Sequence, residues 1–179
     1  RLWTVVLGSV IMKNVKSWNA AIDVLIKDHV EKGKPVPEKY THDLLASIAQ
    51  DILKKTNNLR IVDVGGGMGG AYLFLLSAGL PLPKIRYFVM EMEEVSRRAR
   101  PLLASYKNLS FHSQPIPEFQ EADIVYVSSA LQYFDEPKKT LRMIAGWNAR
   151  HIVMDRLASG DIPTFLSCQK TIPGASIPY

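Results

Sequence analysis

The stretch RIVDVGGGMGG, Arg60 to Gly70, constrains the fold more than any other part of this chain. An apolar run of strand character ends at Val64, and five of the next six residues are glycine. Glycine weakens strand and helix interiors, but it turns a chain tightly, reaches positive φ without strain and lets another group touch bare backbone. The segment therefore reads as a strand-to-helix junction built for close approach of a ligand. Gly65, Gly67 and Gly70 have the spacing G-x-G-x-x-G. Glu91 follows at the end of the next apolar run, roughly the twenty residues on at which an acid grips ribose hydroxyls.

The segments around the junction repeat its pattern. LRIVDVG (59–65), IRYFVME (85–91), LSFHS (109–113), DIVYVSS (123–129) and HIVMDRL (151–157) are short and mostly continuous in hydrophobicity. Strands buried on both faces of a parallel sheet look this way. Before the first, Thr41 is placed to cap a helix whose Leu44, Leu45, Ile48, Ala49 and Ile52 share one face. AYLFLLSAG forms an all-apolar helix closed by Gly79, and EEVSRRARPLLASY a helix disturbed at Pro101. Asp135 can cap a further helix with Leu141, Ile144 and Ala145 facing inward and Gly146 closing it. Strand and helix thus alternate, which predicts an α/β architecture: a doubly wound, Rossmann-like, mostly parallel sheet with its ligand site outside the carboxyl ends of the strands.

Composition bounds the function. The 179 residues are 47% hydrophobic and 22% charged, the balance of a globular chain with a sizeable core. The net charge of +5 is spread among acids, and no interleaving of basic and aromatic residues marks a nucleic-acid platform, so no nucleic-acid partner is expected. Arg97, Arg98 and Arg100 stand beside Glu93 and Glu94 and read as a solvated face. Cys168 is the one cysteine, which excludes an intrachain disulfide and suits a cytoplasmic setting. His29, His42, His112 and His151 lack a second ligand at metal spacing, so they read as surface or satisfied core histidines and no metal is expected. Leu2–Met12 falls short of a bilayer-spanning segment. Residues 1–40 read as an N-terminal accessory helical region, with KDHVEKGKPVPEKY breaking any helix, and 41–179 as the ligand-binding domain.

Asp63 separates two kinds of ligand. A carboxylate two residues before the first glycine would repel the pyrophosphate that a nicotinamide or flavin dinucleotide brings to such a loop. It suits a cationic amino group, or else it accepts hydrogen bonds and shapes the turn. In D-x-G-x-G-x-G, Asp63 to Gly69, the chain resembles the first motif of class I S-adenosylmethionine-dependent methyltransferases, and ADIVYVSSALQYFDEP (122–137) is similar to their fourth. Together with VMEMEEV and HIVMDR these motifs resemble a largely uncharacterised family of bacterial methyltransferases, some associated with surface-polysaccharide gene clusters. The resemblance runs from about Tyr40 to the C-terminus.

The resemblance implies S-adenosylmethionine as cofactor. Asp63, Gly65, Gly66, Gly67 and Gly69 would hold its methionine end, Glu91 its ribose hydroxyls and Met92 its adenine face. Ser113 and Gln114 stand where many relatives have an acid for the adenine amino group, and Ser128 is at the rim. The acceptor implied is a small molecule, such as a saccharide. Tyr133 and Asp155 are the candidates for removing its proton, and Arg156 for orienting an anionic acceptor. An oxidoreductase using NAD(P) and a non-catalytic module of the same fold are the alternatives. The tail, ASGDIPTFLSCQKTIPGASIPY, carries Pro163, Pro173 and Pro178 and shows no final strand pair. The fold is therefore expected to lack its C-terminal antiparallel hairpin, through truncation or because a second copy in a homo-oligomer completes the sheet.

Overall fold

The computed structural model describes residues 27, 31, 32 and 42–157, together with the backbone of 168–172 and 175–178. Apart from residues 27, 31 and 32 the accessory region lies outside the described residues, as do His29 and the Thr41 cap. Helix α1 (Asp43–Lys55) leads into β1 (Leu59–Val64), and α2 (Gly70–Ser77) connects β1 to β2 (Ile85–Met90). Helix α3 (Glu93–Leu102) leads to β3 (Leu109–His112), which is followed by a 3-10 turn at Pro117–Glu121 and by β4 (Ile124–Ser128). A second 3-10 turn, Leu131–Tyr133, and α4 (Pro137–Ala145) precede β5 (His151–Asp155). The five strands form one parallel sheet in the order β3-β2-β1-β4-β5. The direction in which the strand order advances reverses between β1 and β4, the place where open α/β sheets bind ligands.

Alternation along each strand splits the core into two layers. Leu59, Ile61, Tyr87, Val89, Ile124 and Tyr126 pack with α1, α2 and α3 on one face. Val62, Val64, Phe88, Val125 and Val127 pack with Phe119, Ile144 and Trp147 on the other. Covering both faces removes the need for polar alternation, hence the continuous apolar runs. Helix α2 is sealed most deeply, with Ala71 through Leu75 all buried.

Some local expectations are corrected. Leu44 is 50% exposed, because only Leu45 and Ala49 reach the centre of the apolar stripe of α1. The N-cap of α4 is Glu136 rather than Asp135, since Pro137 with its fixed φ takes the first turn. Ala145 faces solvent and Trp147 fills the core in its stead. The tail does form a strand pair: β6 (Cys168–Ile172) runs antiparallel to β7 (Ala175–Pro178). Pro178 sits at the end of the ladder, where a missing N–H matters least. This pair is a separate two-stranded sheet, while the five-stranded sheet is parallel throughout.

Candidate functional site

Register builds the site. Val64 pairs with Met90 and Met90 with His112, so the next residues, Gly65, Glu91 and Ser113, stand level at the carboxyl edge. Asp63 pairs with Tyr126, which puts Ser128 level with Gly65, and Ser128 pairs with Asp155. Residues as far apart in sequence as Gly65 and Asp155 thus fall into one row across five strands. Backbone bonds carry the ladder past the strand ends: Gly65 N donates to Met90 O (2.8 Å), Glu91 N to His112 O (2.9 Å) and Ser129 N to Asp155 O (2.9 Å).

The glycine loop turns through left-handed backbone at alternate residues, with φ of +71° at Gly65, +57° at Gly67 and +84° at Gly69. At Gly65 a Cβ would also lie 2.5 Å from that of Ala130, so the turn admits no larger residue. At Gly67 a Cβ would meet nothing within 4 Å. That backbone is open, as a ligand cradle requires.

Asp63 lies beneath this loop with 2% exposure, its carboxyl group against Gly66, where a side chain would collide with it. Tyr87 Oη donates to Oδ2 at 2.8 Å, entirely within the core. Burial raises the Asp63 pKa to about 7, the Tyr87 bond opposes this and the nearby Glu91 adds to it. The carboxylate therefore acts on the cradle from one layer below. Glu91 works from above. Its Oε2 accepts from Gly67 N (3.0 Å) and its Oε1 from Met92 N (2.8 Å), tying the second strand end to the loop. Burial raises the Glu91 pKa, against the pull of these two amides.

The other sequence candidates surround this centre. Met92 is 47% exposed beside Glu91, Gln114 is exposed and Ser113 is half-buried. Ser128 is half-buried at the end of β4. Tyr133 is 38% exposed on the 3-10 turn after β4. Asp155 is engaged: its Oδ2 accepts from Tyr126 Oη (3.2 Å) and from Arg156 Nε (3.4 Å). Arg97 and Arg98 pair with Glu94, and Arg100 with Glu93, as the solvated face requires.

His42, which reads from the sequence as a surface or satisfied core histidine, is half-buried and hydrogen-bonded. Its Nδ1 lies 2.8 Å from Tyr126 Oη, and its ring packs edge-on against Phe74 and Tyr126. The chain runs from α1 straight into the amino end of β1, so the start of the helix returns to the carboxyl edge of the sheet. No local signal marks a contact between residues 84 positions apart. Two clefts of about 340 and 430 Å³ open at the opposite end of the sheet, around Thr56 and His151 and around Arg60 and Asp123. They are away from the glycine loop and include none of its residues.

Solved structures share this architecture. The plantazolicin methyltransferase BpumL, crystallised with a monoazolic desmethylPZN analog and SAH, superposes with a TM-score of 0.52 at 16% identity, covering 86% of this chain and 56% of that one. The chain has the fold of the class I S-adenosylmethionine-dependent methyltransferases. The CurJ carbon methyltransferase (TM-score 0.49, 15% identity, 61% of this chain and 32% of that one) is also similar to this methyltransferase fold. So is an S-adenosyl-L-methionine-dependent methyltransferase of Methanococcus maripaludis (0.46, 14%, 74% and 57%). The chain spans between about a third and little over half the length of these three structures. No family model and no curated protein sequence matches it. Among the described residues no helix is long and apolar enough to cross a membrane.

Proposed function

We propose that the chain binds S-adenosylmethionine at the carboxyl edge of β1 and β2 and transfers its methyl group to a small-molecule acceptor beside β4 and β5. The observation that carries this reading is the pair of carboxylates on the open glycine cradle, Asp63 below it and Glu91 above it. Two acids there favour a ligand with an ammonium group and ribose hydroxyls over a pyrophosphate. The open Gly67 backbone would hold the methionine end, with the Asp63 carboxylate acting on its ammonium group from beneath the loop. Glu91 would hold the ribose and Met92 the adenine face, with Ser113 and Gln114 at the adenine edge and Ser128 at the rim. When bound, the sulfonium supplies an electrophilic methyl group. The protein then contributes chiefly by holding the acceptor in line within about 3–3.5 Å.

Calorimetric titration of the purified chain with S-adenosylmethionine, S-adenosylhomocysteine and NAD tests the reading. Saturable binding of the adenosyl ligands supports it, and binding of NAD alone overturns it.

A further inference from the structure

The cleft between the end of α1 and the start of β5 takes no part in the site at the glycine loop. It holds about 340 Å³, at the small end of the ~300–1,000 Å³ usual for ligand sites. Ile48 and Ile52, one helical turn apart and half-buried against the core, supply its apolar wall. Lys55 ends the helix and Thr56 follows it, while Arg150 and His151 enter from the start of β5.

Charge distinguishes this cleft from its neighbour. In the neighbour Arg60 is paired with Glu121, and Arg150, which lines both clefts, faces Asp123 at 3.7 Å. That second pairing is loose and exposed and adds little, and Asp123 Oδ2 already accepts from Arg60 N (2.9 Å). In the first cleft the side chains of Lys55 and His151 make no hydrogen bond or ion pair with any described residue. Asp51 is the one carboxylate in its lining, and Lys54 Nζ holds it at 2.9 Å. The carbonyl end of α1 opposes an anion, but the chain answers it locally. Ile52 O accepts from Thr56 N (2.9 Å) and from Thr56 Oγ1 (3.1 Å), and Lys54 and Lys55 occupy the last turn.

We propose that this cleft binds a small organic anion, a carboxylate on an apolar body. The body lies on Ile48 and Ile52, and the carboxylate takes the charges of Lys55 and Arg150 and a ring N–H of His151. A bare inorganic anion would leave the two isoleucines wet, and a neutral apolar molecule would leave the cations unanswered. At the glycine loop the carboxylates of Asp63 and Glu91 repel such a ligand, so it has one end of the sheet to itself. It is not the methyl acceptor either, because Arg150 and His151 stand at the opposite end of β5 from Asp155.

Nitrogen–proton correlation NMR of the whole chain, titrated at low salt with benzoate, reads the site directly. The amides of Thr56 and His151 should shift saturably, with a dissociation constant of about 5 mM or tighter, while those of the glycine loop stay in place. Saturating S-adenosylhomocysteine should not displace benzoate. Acetate, which lacks the body, and benzyl alcohol, which lacks the charge, should each bind at least about tenfold more weakly. A Lys55→Gln, Arg150→Gln double variant changes two exposed side chains and should keep the circular dichroism of the wild type, while its benzoate affinity falls at least about tenfold. Four results overturn the proposal: no saturable shift up to about 50 mM benzoate, shifts centred away from Thr56 and His151, equal binding of acetate or benzyl alcohol, or unchanged affinity in the folded double variant. None of them depends on whether the chain binds S-adenosylmethionine.

Discussion

Replacing Asp63 by asparagine tests the central piece of the site. The carboxyl group is sealed against Tyr87 and Gly66, and burial raises its pKa from 3.8 to about 7. Between those values the folded chain holds a proton that the unfolded chain has released. The stability this group contributes is therefore fully present below about pH 4 and is lost as pH rises through 7. A shift of about three units corresponds to about 4 kcal/mol. The side-chain amide of the Asp63→Asn variant would keep the Tyr87 bond and not titrate. Urea unfolding of both proteins at pH 4, 6 and 8 should show the wild type losing about 4 kcal/mol relative to Asp63→Asn across that range, a midpoint shift of about 2 M for a slope of about 2 kcal/mol/M. His42 runs the other way: its pKa is lowered to about 4, so its contribution is lost as pH falls from 6.5 to 4. Both proteins carry His42, and the difference between them cancels it. The variant gains stability and loses function, since S-adenosylmethionine binding should weaken about tenfold and cease to strengthen between pH 6 and 8. Stability differences that stay parallel within about 1 kcal/mol across pH would refute the reasoning.

Further substitutions separate ligand contacts from structure. Glu91→Ala removes two charge-assisted acceptors and should weaken adenosyl-ligand binding at least about tenfold by calorimetry, with far-ultraviolet circular dichroism unchanged. Gly65→Ala, with φ +71° and a Cβ driven onto Ala130, should destabilise the fold by about 3 kcal/mol in urea titrations. Gly67→Ala meets open space and should lose about 1 kcal/mol from backbone strain alone, while its added methyl group blocks the cradle and weakens S-adenosylhomocysteine binding. Equal binding losses for the two glycine variants, after correction for stability, would mean that the loop is only a turn.

The sequence alone determined the sheet and the loop. Buried parallel strands need continuous apolar runs, and a left-handed, ligand-facing turn needs glycine, so both leave local signatures. The five strand segments match β1 to β5 to within two residues. Asp63 stood out because a carboxylate is out of place at the end of such a strand. Other features depend on partners far along the chain. Pro137, a neighbour, moved the cap of α4 by one residue, whereas the pairing of Cys168–Ile172 with Ala175–Pro178 escaped a reading of prolines as breakers. The tertiary structure decided that Asp63 is sealed under Gly66 with Tyr87 as its donor, and that Asp155 is tied up by Tyr126 and Arg156. It alone brought His42 to Tyr126 and Arg156, 84 and 114 positions away. Parallel strands placed side by side put residues from distant segments on one edge, and a helix folded back on its strand returns its first residue there. Such contacts are set by register and packing, and no local pattern of residue types encodes them.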